Sequence, residues 1–350
     1  MRLAVDVMGG DHGCGVVVEG VKRALGSDLG ISSVFLVGNE AEVHSATAKA
    51  GLKDSRVQVV HASEVLTMED KPAVALRRKK DCSIARAVEL VNDKKADAVV
   101  SLGNTGGIFA AATFKLGRVE GVDRGGIATV IPTRDHEFVL LDAGANIDCK
   151  PINLLHYAVM GTIYSREILG YKNPRVGVLS IGTEDSKGND LTLGAFKLCK
   201  QANLNFVGNV EGHDLFHNRV DVVVCDGFVG NIVLKTIESL ATSMFSFLKT
   251  ELTANLQRKV GAYLAQDAFR AIKRRMDPEV YGGAPMLGFN GVVLKAHGSA
   301  SEKAVASAIR VASETVKHHV NDLIVREVAD ANARVKDLQS TVAAEPVVSA

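Results

Sequence analysis

The sequence predicts an α/β protein, a doubly wound and mostly parallel sheet with helices on both faces. Short β-branched runs alternate with amphipathic stretches along almost the whole chain, and the runs are continuously apolar rather than apolar at every second residue. Continuous runs belong to strands covered on both sides, the normal state of a parallel sheet flanked by helices. Glycine and polar residues also crowd the positions just after the runs, where sheets of this class bind ligands.

The runs fit in order. "LAVDV" leads into "DVMGGD" (6 to 11), followed by "VFLVG" and "VQVVH"; "DAVVSL" leads into "GNTGG" (103 to 107). "IATVI" is next, then "FVLLDAG", which ends in "DAGAN" (142 to 146). "VGVLSIG" leads into "IGTEDSKGND" (181 to 190), "LNFVGNV" into "VEGHD" (210 to 214) and "DVVVCD" into "DGFVGN" (226 to 231). "GVVLKAHG" leads into "HGSA" (297 to 300). Turn formation explains a Gly or Asn at many of these places, but not so many polar side chains at so many strand ends. The mouth of the sheet is therefore the expected site.

From Ile232 to Met276 the pattern is helical for roughly 40 residues, well beyond a usual globular helix. The polar "KTEL" near its middle marks a bend, and Leu252, Leu256, Val260 and Leu264 recur every four residues as an apolar stripe. A helical hairpin over about 232–276, standing off the sheet, is expected. The end from Leu338 to Ala350 reads as a poorly ordered tail, which leaves residues 1–337 as one α/β domain.

Composition narrows the function classes. At 350 residues, 47% hydrophobic and 23% charged, the chain can bury a large core. A formal net charge of +1 gives no global case for nucleic acid, so any electrostatic recognition is local. The five cysteines, Cys14, Cys82, Cys149, Cys199 and Cys225, are scattered and odd in number, with no zinc or redox spacing; they fit a reducing compartment. Met1 runs straight into the strand "RLAVDV" without a signal pattern, and no stretch supplies the roughly 18 apolar residues of a membrane span. A cytoplasmic protein is expected.

The loops carry the chemistry. In "GNTGG", the amides of Gly103, Asn104, Thr105, Gly106 and Gly107 form a cradle for phosphate, or else the loop is a tight turn capped by Asn104 or Thr105. It matches neither the dinucleotide fingerprint nor a Walker loop, so no nucleotide is indicated. In "IGTEDSKGND", with Thr183 and Glu184 beside it, Lys187 holds an anion or stabilises a carbonyl oxyanion, against the plain alternative of a solvated lysine. In "DGFVGN", Gly227 and Gly230 allow close backbone approach, and the amides opening the next helix favour an anion. Asn231 donates to an oxyanion or caps that helix; Asp226 serves as a base or orienter or merely closes the turn. Cys225 reads as a buried structural thiol.

"GGAPMLGFNG" (282 to 291) is a second glycine-rich turn segment and includes Gly283. In "HGSASEK", Ser299 or Ser301 caps the last helix, and His297 either faces the cleft or is a plain structural histidine. Asp11 and His12 lack a third ligand at metal spacing, so no metal is expected. Two basic clusters, Arg77 to Lys80 and Arg270 to Arg275, are solvated faces or docking surfaces for an acidic protein.

Taken together, "DVMGGD", "GNTGG", "DAGAN", "IGTEDSKGN", "EGHD", "DVVVCDGFVGN", "GGAPMLG" and "HGS" resemble, in order and spacing, the PlsX-type phosphate acyltransferase family of bacterial phospholipid synthesis, from about residue 1 to 330. Gly107, Met286 and Ala300 stand where that pattern would have Ala, Leu and Ser. The resemblance implies transfer of a long-chain acyl group from acyl carrier protein to inorganic phosphate, giving acyl phosphate for a downstream glycerol-3-phosphate acyltransferase. It also implies a homodimer without a cofactor, related in fold to phosphotransacetylases and isopropylmalate-type dehydrogenases. The hairpin would make peripheral membrane contact through Leu252, Leu256, Val260 and Leu264.

Residue by residue, the family's essential lysine falls on Lys187 and its essential asparagine on Asn231. Lys187 would bind phosphate and Asn231 would hold the oxyanion, with the amides of "GNTGG" and "DGFVGN" completing the cradle. Thr183, Glu184, Asp226, Gly227, Gly230, Gly283, His297 and Ser299 are expected to line the same site. The rivals are a phosphotransacetylase acting on short acyl-CoA and a non-catalytic anion-binding scaffold. A dehydrogenase is disfavoured by the missing nucleotide fingerprint.

Overall fold

The computed structural model describes residues 1–276 and 281–344. The chain begins with β1 (Arg2–Asp6), α1 (Cys14–Leu25), β2 (Ser33–Gly38), α2 (Glu40–Ala50), β3 (Val57–His61), α3 (Pro72–Arg78), α4 (Ser83–Asn92), β4 (Ala98–Ser101) and α5 (Thr105–Ala111). It continues through β5 (Gly126–Pro132), β6 (Glu137–Leu141), α6 (Pro151–Glu167), β7 (Arg175–Leu179), α7 (Asp190–Gln201), β8 (Asn205–Val210) and β9 (Val222–Val224). The helices α8 (Gly227–Leu252), α9 (Leu256–Leu264) and α10 (Gln266–Arg275) form the excursion, after which β10 (Ala284–Leu287), β11 (Val292–Lys295), α11 (Glu302–Lys317) and α12 (Val320–Ala344) complete the fold.

All of these strands join one eleven-stranded sheet in the order β3-β2-β1-β4-β11-β10-β5-β6-β9-β7-β8. The α/β reading holds, and each apolar run is a strand. Alternate residues of β1 show how both faces are covered. Leu3 and Val5 join a core containing residues of α1, α2, α6, α7, α11 and α12, whereas Ala4 points the other way into a core with α4 and α5. Residues 98–101 of β4 are all buried, as continuous apolar strands require.

The interior of the sheet departs from expectation. The segment read as a glycine-rich turn contains β10, whose Met286 pairs antiparallel with Val293 of β11 and with Ile127 of β5. β5 in turn pairs antiparallel with β6. Three reversals in succession leave β6, β9, β7 and β8 parallel to one another but opposite to β1, β2, β3, β4 and β11. The carboxyl ends therefore do not all point the same way.

The helical excursion is real, but it starts earlier and divides differently. Asp226 caps α8, which therefore begins at Gly227 rather than Ile232. α8 stops at Leu252, and Asn255 opens α9 by accepting the amide of Arg258 at 2.9 Å. The stripe is thus broken: Leu252 ends one helix, and Leu256, Val260 and Leu264 lie on the next, 78%, 53% and 78% exposed. No helix among the described residues is long and apolar enough to cross a membrane. The expected tail is helical as far as Ala344, and residues 345–350 lie outside the described residues.

Candidate active site

A cleft of about 330 Å³ lies where the two oppositely running halves meet, over β10 and β5. Thr105, Lys295, Ala296 and His297 reach it from the ends of β4 and β11; Ala143, Gly144 and Asn231 reach it from the ends of β6 and β9. Gly283 and Ala284 enter at the start of β10, and Leu234, Lys235 and Glu238 line it from α8.

Asp142, fully buried at the end of β6, organises one wall. Its carboxylate accepts the backbone amides of Ile127 (3.1 Å), Gly144 (3.1 Å), Ala145 (2.9 Å) and Asn146 (2.7 Å), and the Asn146 side chain at 3.0 Å. Burial pushes this carboxyl up from its ordinary value, while the donors pull against the rise. The start of α8 rests on this loop. A β-carbon on Gly227 would meet Asn146 N at 2.8 Å, and one on Gly230 would fall 1.9 Å from the carbonyl oxygen of Asp142. The glycines of "DGFVGN" thus admit backbone rather than ligand.

The amides that open α8 are also committed. Gly227 N–H donates to the Asn146 carbonyl (2.7 Å), Phe228 and Val229 N–H to the Asp226 carboxylate (2.9 Å each), and Gly230 N–H to the Asp226 carbonyl (2.9 Å). The expected anion cradle on this turn is accordingly replaced by an internal cap. Asp226 is that cap, which leaves Asn231 free of the capping role. Asn231 lies on the cleft beside Gly144, and its side-chain amide has no hydrogen-bond partner among the described residues.

"GNTGG" is in part self-satisfied. Gly103 N–H donates to Ser101 Oγ (3.0 Å) and Gly107 N–H to Asn104 Oδ1 (2.9 Å). Asn104 Nδ2 donates to the carbonyls of Thr67 (3.1 Å), Met68 (3.2 Å) and Asp70 (3.4 Å). The capping alternative therefore describes Asn104. Thr105 alone of this loop lines the cleft.

At the end of β11 stands a residue the sequence reading passed over. Lys295 is only 8% exposed, and its Nζ donates to the Leu102 carbonyl (3.2 Å) and to the Ala296 carbonyl. Burial lowers its pKa to about 8, against the opposing pull of Asp11 and Asp6. The signal was a lysine ending an otherwise apolar strand just before "HGSA". Beyond it, Ser299 N–H donates to His297 Nδ1 (3.2 Å), with Ser299 Oγ at 2.8 Å from the same nitrogen. An Nδ1 that accepts a backbone amide leaves the proton of the neutral ring on Nε2. Ser301 caps α11 through the amide of Ala304 at 3.3 Å.

Lys187 does not line this cleft; it sits on an exposed loop after β7 with Thr183 and Glu184. Asn209 Nδ2 pins the loop through the carbonyls of Glu184 (2.9 Å) and Lys187 (3.3 Å), and Ser180 Oγ donates to the Lys187 carbonyl at 3.2 Å. The lysine stem lies beside Gly182, whose added β-carbon would be 2.9 Å from Lys187 Cγ. The backbone of the loop is fixed and the ammonium faces solvent.

A family model described as "Fatty acid synthesis protein" matches residues 1–323. A phosphate acyltransferase from Desulforudis audaxviator is 49% identical over 332 residues, covering 94% of this chain and 97% of that protein. One from Pelotomaculum thermopropionicum is 47% identical over 320 residues, covering 91% and 93%. The chain belongs to the phosphate acyltransferase family. A phosphotransacetylase from Streptococcus pyogenes shares the fold, with a TM-score of 0.59 at 17% identity, covering 90% of this chain and 94% of that one. EutD phosphotransacetylase from Staphylococcus aureus gives 0.57 at the same identity and coverage.

Among the described residues no cysteine lines the cleft. Cys225 is buried and burial pushes its thiol well above the ordinary value, as expected of a structural cysteine. Among the described residues Glu211, His213 and Asp214 come close enough to share a metal. Asp214 is already engaged by the Glu211 amide (3.0 Å) and by Arg219 (3.0 and 3.1 Å), which explains the cluster as a loop closure.

Proposed function

We propose that this protein moves a long-chain acyl group from acyl carrier protein to inorganic phosphate, releasing acyl phosphate for a glycerol-3-phosphate acyltransferase. The observation that carries the reading is the unpartnered Asn231 amide, on a cleft where the backbone amides after β6 and at the start of α8 are committed within the chain. Phosphate is already a nucleophile, so the protein has to align it with the thioester and stabilise charge. A phosphate oxygen attacks the carbonyl carbon and the carbonyl oxygen becomes an oxyanion, to which Asn231 Nδ2 donates. Collapse breaks the C–S bond, and the thiolate leaves and takes up a proton. Lys187, an exposed point charge on a hydrogen-bonded loop, screens phosphate as it arrives.

The hairpin belongs to the same proposal. α8 exposes Leu240, Met244 and Phe247 (59%, 61% and 70%), and α9 exposes Leu256, Val260 and Leu264. We assign the inner face of α8 to packing against a second copy and α9 to peripheral contact with lipid. The reaction is tested with purified protein, palmitoyl-acyl carrier protein and labelled phosphate, without metal or nucleotide. Labelled acyl phosphate supports the proposal. Product from acetyl-CoA alone would replace it with the short-chain reaction, and no product from either would leave an anion-binding scaffold.

A further inference from the structure

We propose that Lys295 is the residue that grips phosphate in the cleft, giving one N–H to a phosphate oxygen while its other two hold the flanking loops. The inference rests on the acyl-transfer reading and deepens it by naming the anion's partner. Accounting for donors leads to it. The amides opening α8 are spent on Asp226 and Asn146, those after β6 on Asp142, and two of "GNTGG" on Ser101 and Asn104. Of the two lysines on the cleft, Lys235 is paired with Glu238 at 2.7 Å.

Lys295 remains. An ammonium carries three donors, and carbonyls of Leu102 and Ala296 take two. No carboxylate bonds it directly among the described residues: Asp6 accepts instead from Ser101 Oγ (2.7 Å) and Met8 N–H (3.2 Å). Burying a cation without a bonded counter-ion is costly. An incoming dianion supplies that counter-ion, and the two carbonyl bonds hold Nζ in place before it arrives. Thr105 and His297 line the same cleft as further donors.

The test uses the full-length protein as wild type, Lys295→Met and Lys295→Arg. Loss of a charge-assisted bond should raise KM for phosphate about tenfold or more in Lys295→Met, with KM for acyl carrier protein changed less than about twofold and partial recovery in Lys295→Arg. Sulfate should raise the melting temperature of wild type and not of Lys295→Met. Unchanged phosphate KM and retained sulfate protection would overturn the inference and leave Lys295 as a tie between loops.

If Lys295→Met does not fold, wild type still decides. Sulfate keeps its charge across neutral and alkaline pH, so its inhibition constant against phosphate reports the protein cation. It should rise as pH passes about 8, where Lys295 loses its proton. Asp6, Asp11, Lys235, Glu238, Tyr281 and His297 are the other charged or titratable groups around it. A flat profile refutes the inference. Failure of wild type to make any acyl phosphate would instead sink the reaction, while sulfate protection would still report the anion site.

Discussion

Gly230→Ala is the smallest change that tests how α8 is seated. The added methyl would fall 1.9 Å from the carbonyl oxygen of Asp142, whereas carbon and oxygen normally approach no closer than about 3.3 Å. One backbone must therefore retreat by about 1.4 Å, and neither can do so cheaply. Asp142 is held by five hydrogen bonds, and the first turn of α8 by its cap on Asp226. Overpacking against fixed backbone costs about 3 kcal/mol. With an unfolding entropy of about 2.1 cal/mol/K per residue, the melting temperature should fall by about 4 °C. Asn231 is the next residue, and misplacing a catalytic group by about 1 Å lowers turnover about 100-fold. The assay pairs thermal unfolding with initial rates of acyl phosphate formation. Gly15→Ala is the control, because a β-carbon there meets nothing within 4 Å and the residue lies in α1. It should be neutral or stabilising by up to about 1 kcal/mol. Wild-type melting and turnover in Gly230→Ala would refute the proposed seating of Asn231.

Asn231→Ala and Lys187→Ala should each cut turnover about 100-fold with melting temperatures unchanged, since both side chains are exposed; wild-type rates would remove them from the mechanism. Leu256→Glu should abolish sedimentation with anionic vesicles and leave acyl transfer to phosphate in solution intact, and unaltered sedimentation would end the lipid role of α9. His156 tests a pH effect. Its Nδ1 accepts the Asp123 amide (3.2 Å) and its Nε2 faces Asn332 Oδ1 (2.9 Å), while burial lowers its pKa below 6.5. The unfolded chain therefore takes up this proton first as pH falls. The stability owed to neutral His156 is complete above about pH 6.5 and is lost as pH drops through the folded value. His156→Gln should flatten the decline in melting temperature over that range, and an unchanged slope would exclude His156 as its source.

Most of the sheet could be read from sequence because a strand buried on both faces announces itself in a single apolar run. β10 could not, since "APML" follows two glycines and contains Pro285, which lacks an N–H for the ladder. That short strand matters out of proportion to its length. With β5 and β6 it reverses half of the sheet, and strand direction leaves no mark on apolar patterning. The single mouth inferred from loop composition therefore holds for the residues after β4, β6, β9 and β11, which line one cleft, and fails for the loop after β7. The hairpin was legible as periodicity, but its division at Asn255 depends on one cap within an otherwise helical pattern.

The glycine-rich turns teach the subtler lesson. Backbone amides at a helix start or in a tight loop attract negative charge whatever its source, and a carboxylate of the chain itself answers as well as a phosphate. Asp226 lies one residue before α8, and Asp142 lies two to four residues before the loop amides of Gly144, Ala145 and Asn146; each was visible in the sequence as the acid opening its own glycine motif. Once the acids are counted as occupants, those turns cease to be empty anion sites and become supports. Two of the donors left uncommitted are then side chains, the ones proposed here to meet substrate: Asn231 on the turn that Asp226 caps, and Lys295 on the strand whose reversed neighbour builds the cleft. On this view the rigid carboxylate-filled loops supply placement, and recognition of the anion falls to the few groups they leave free.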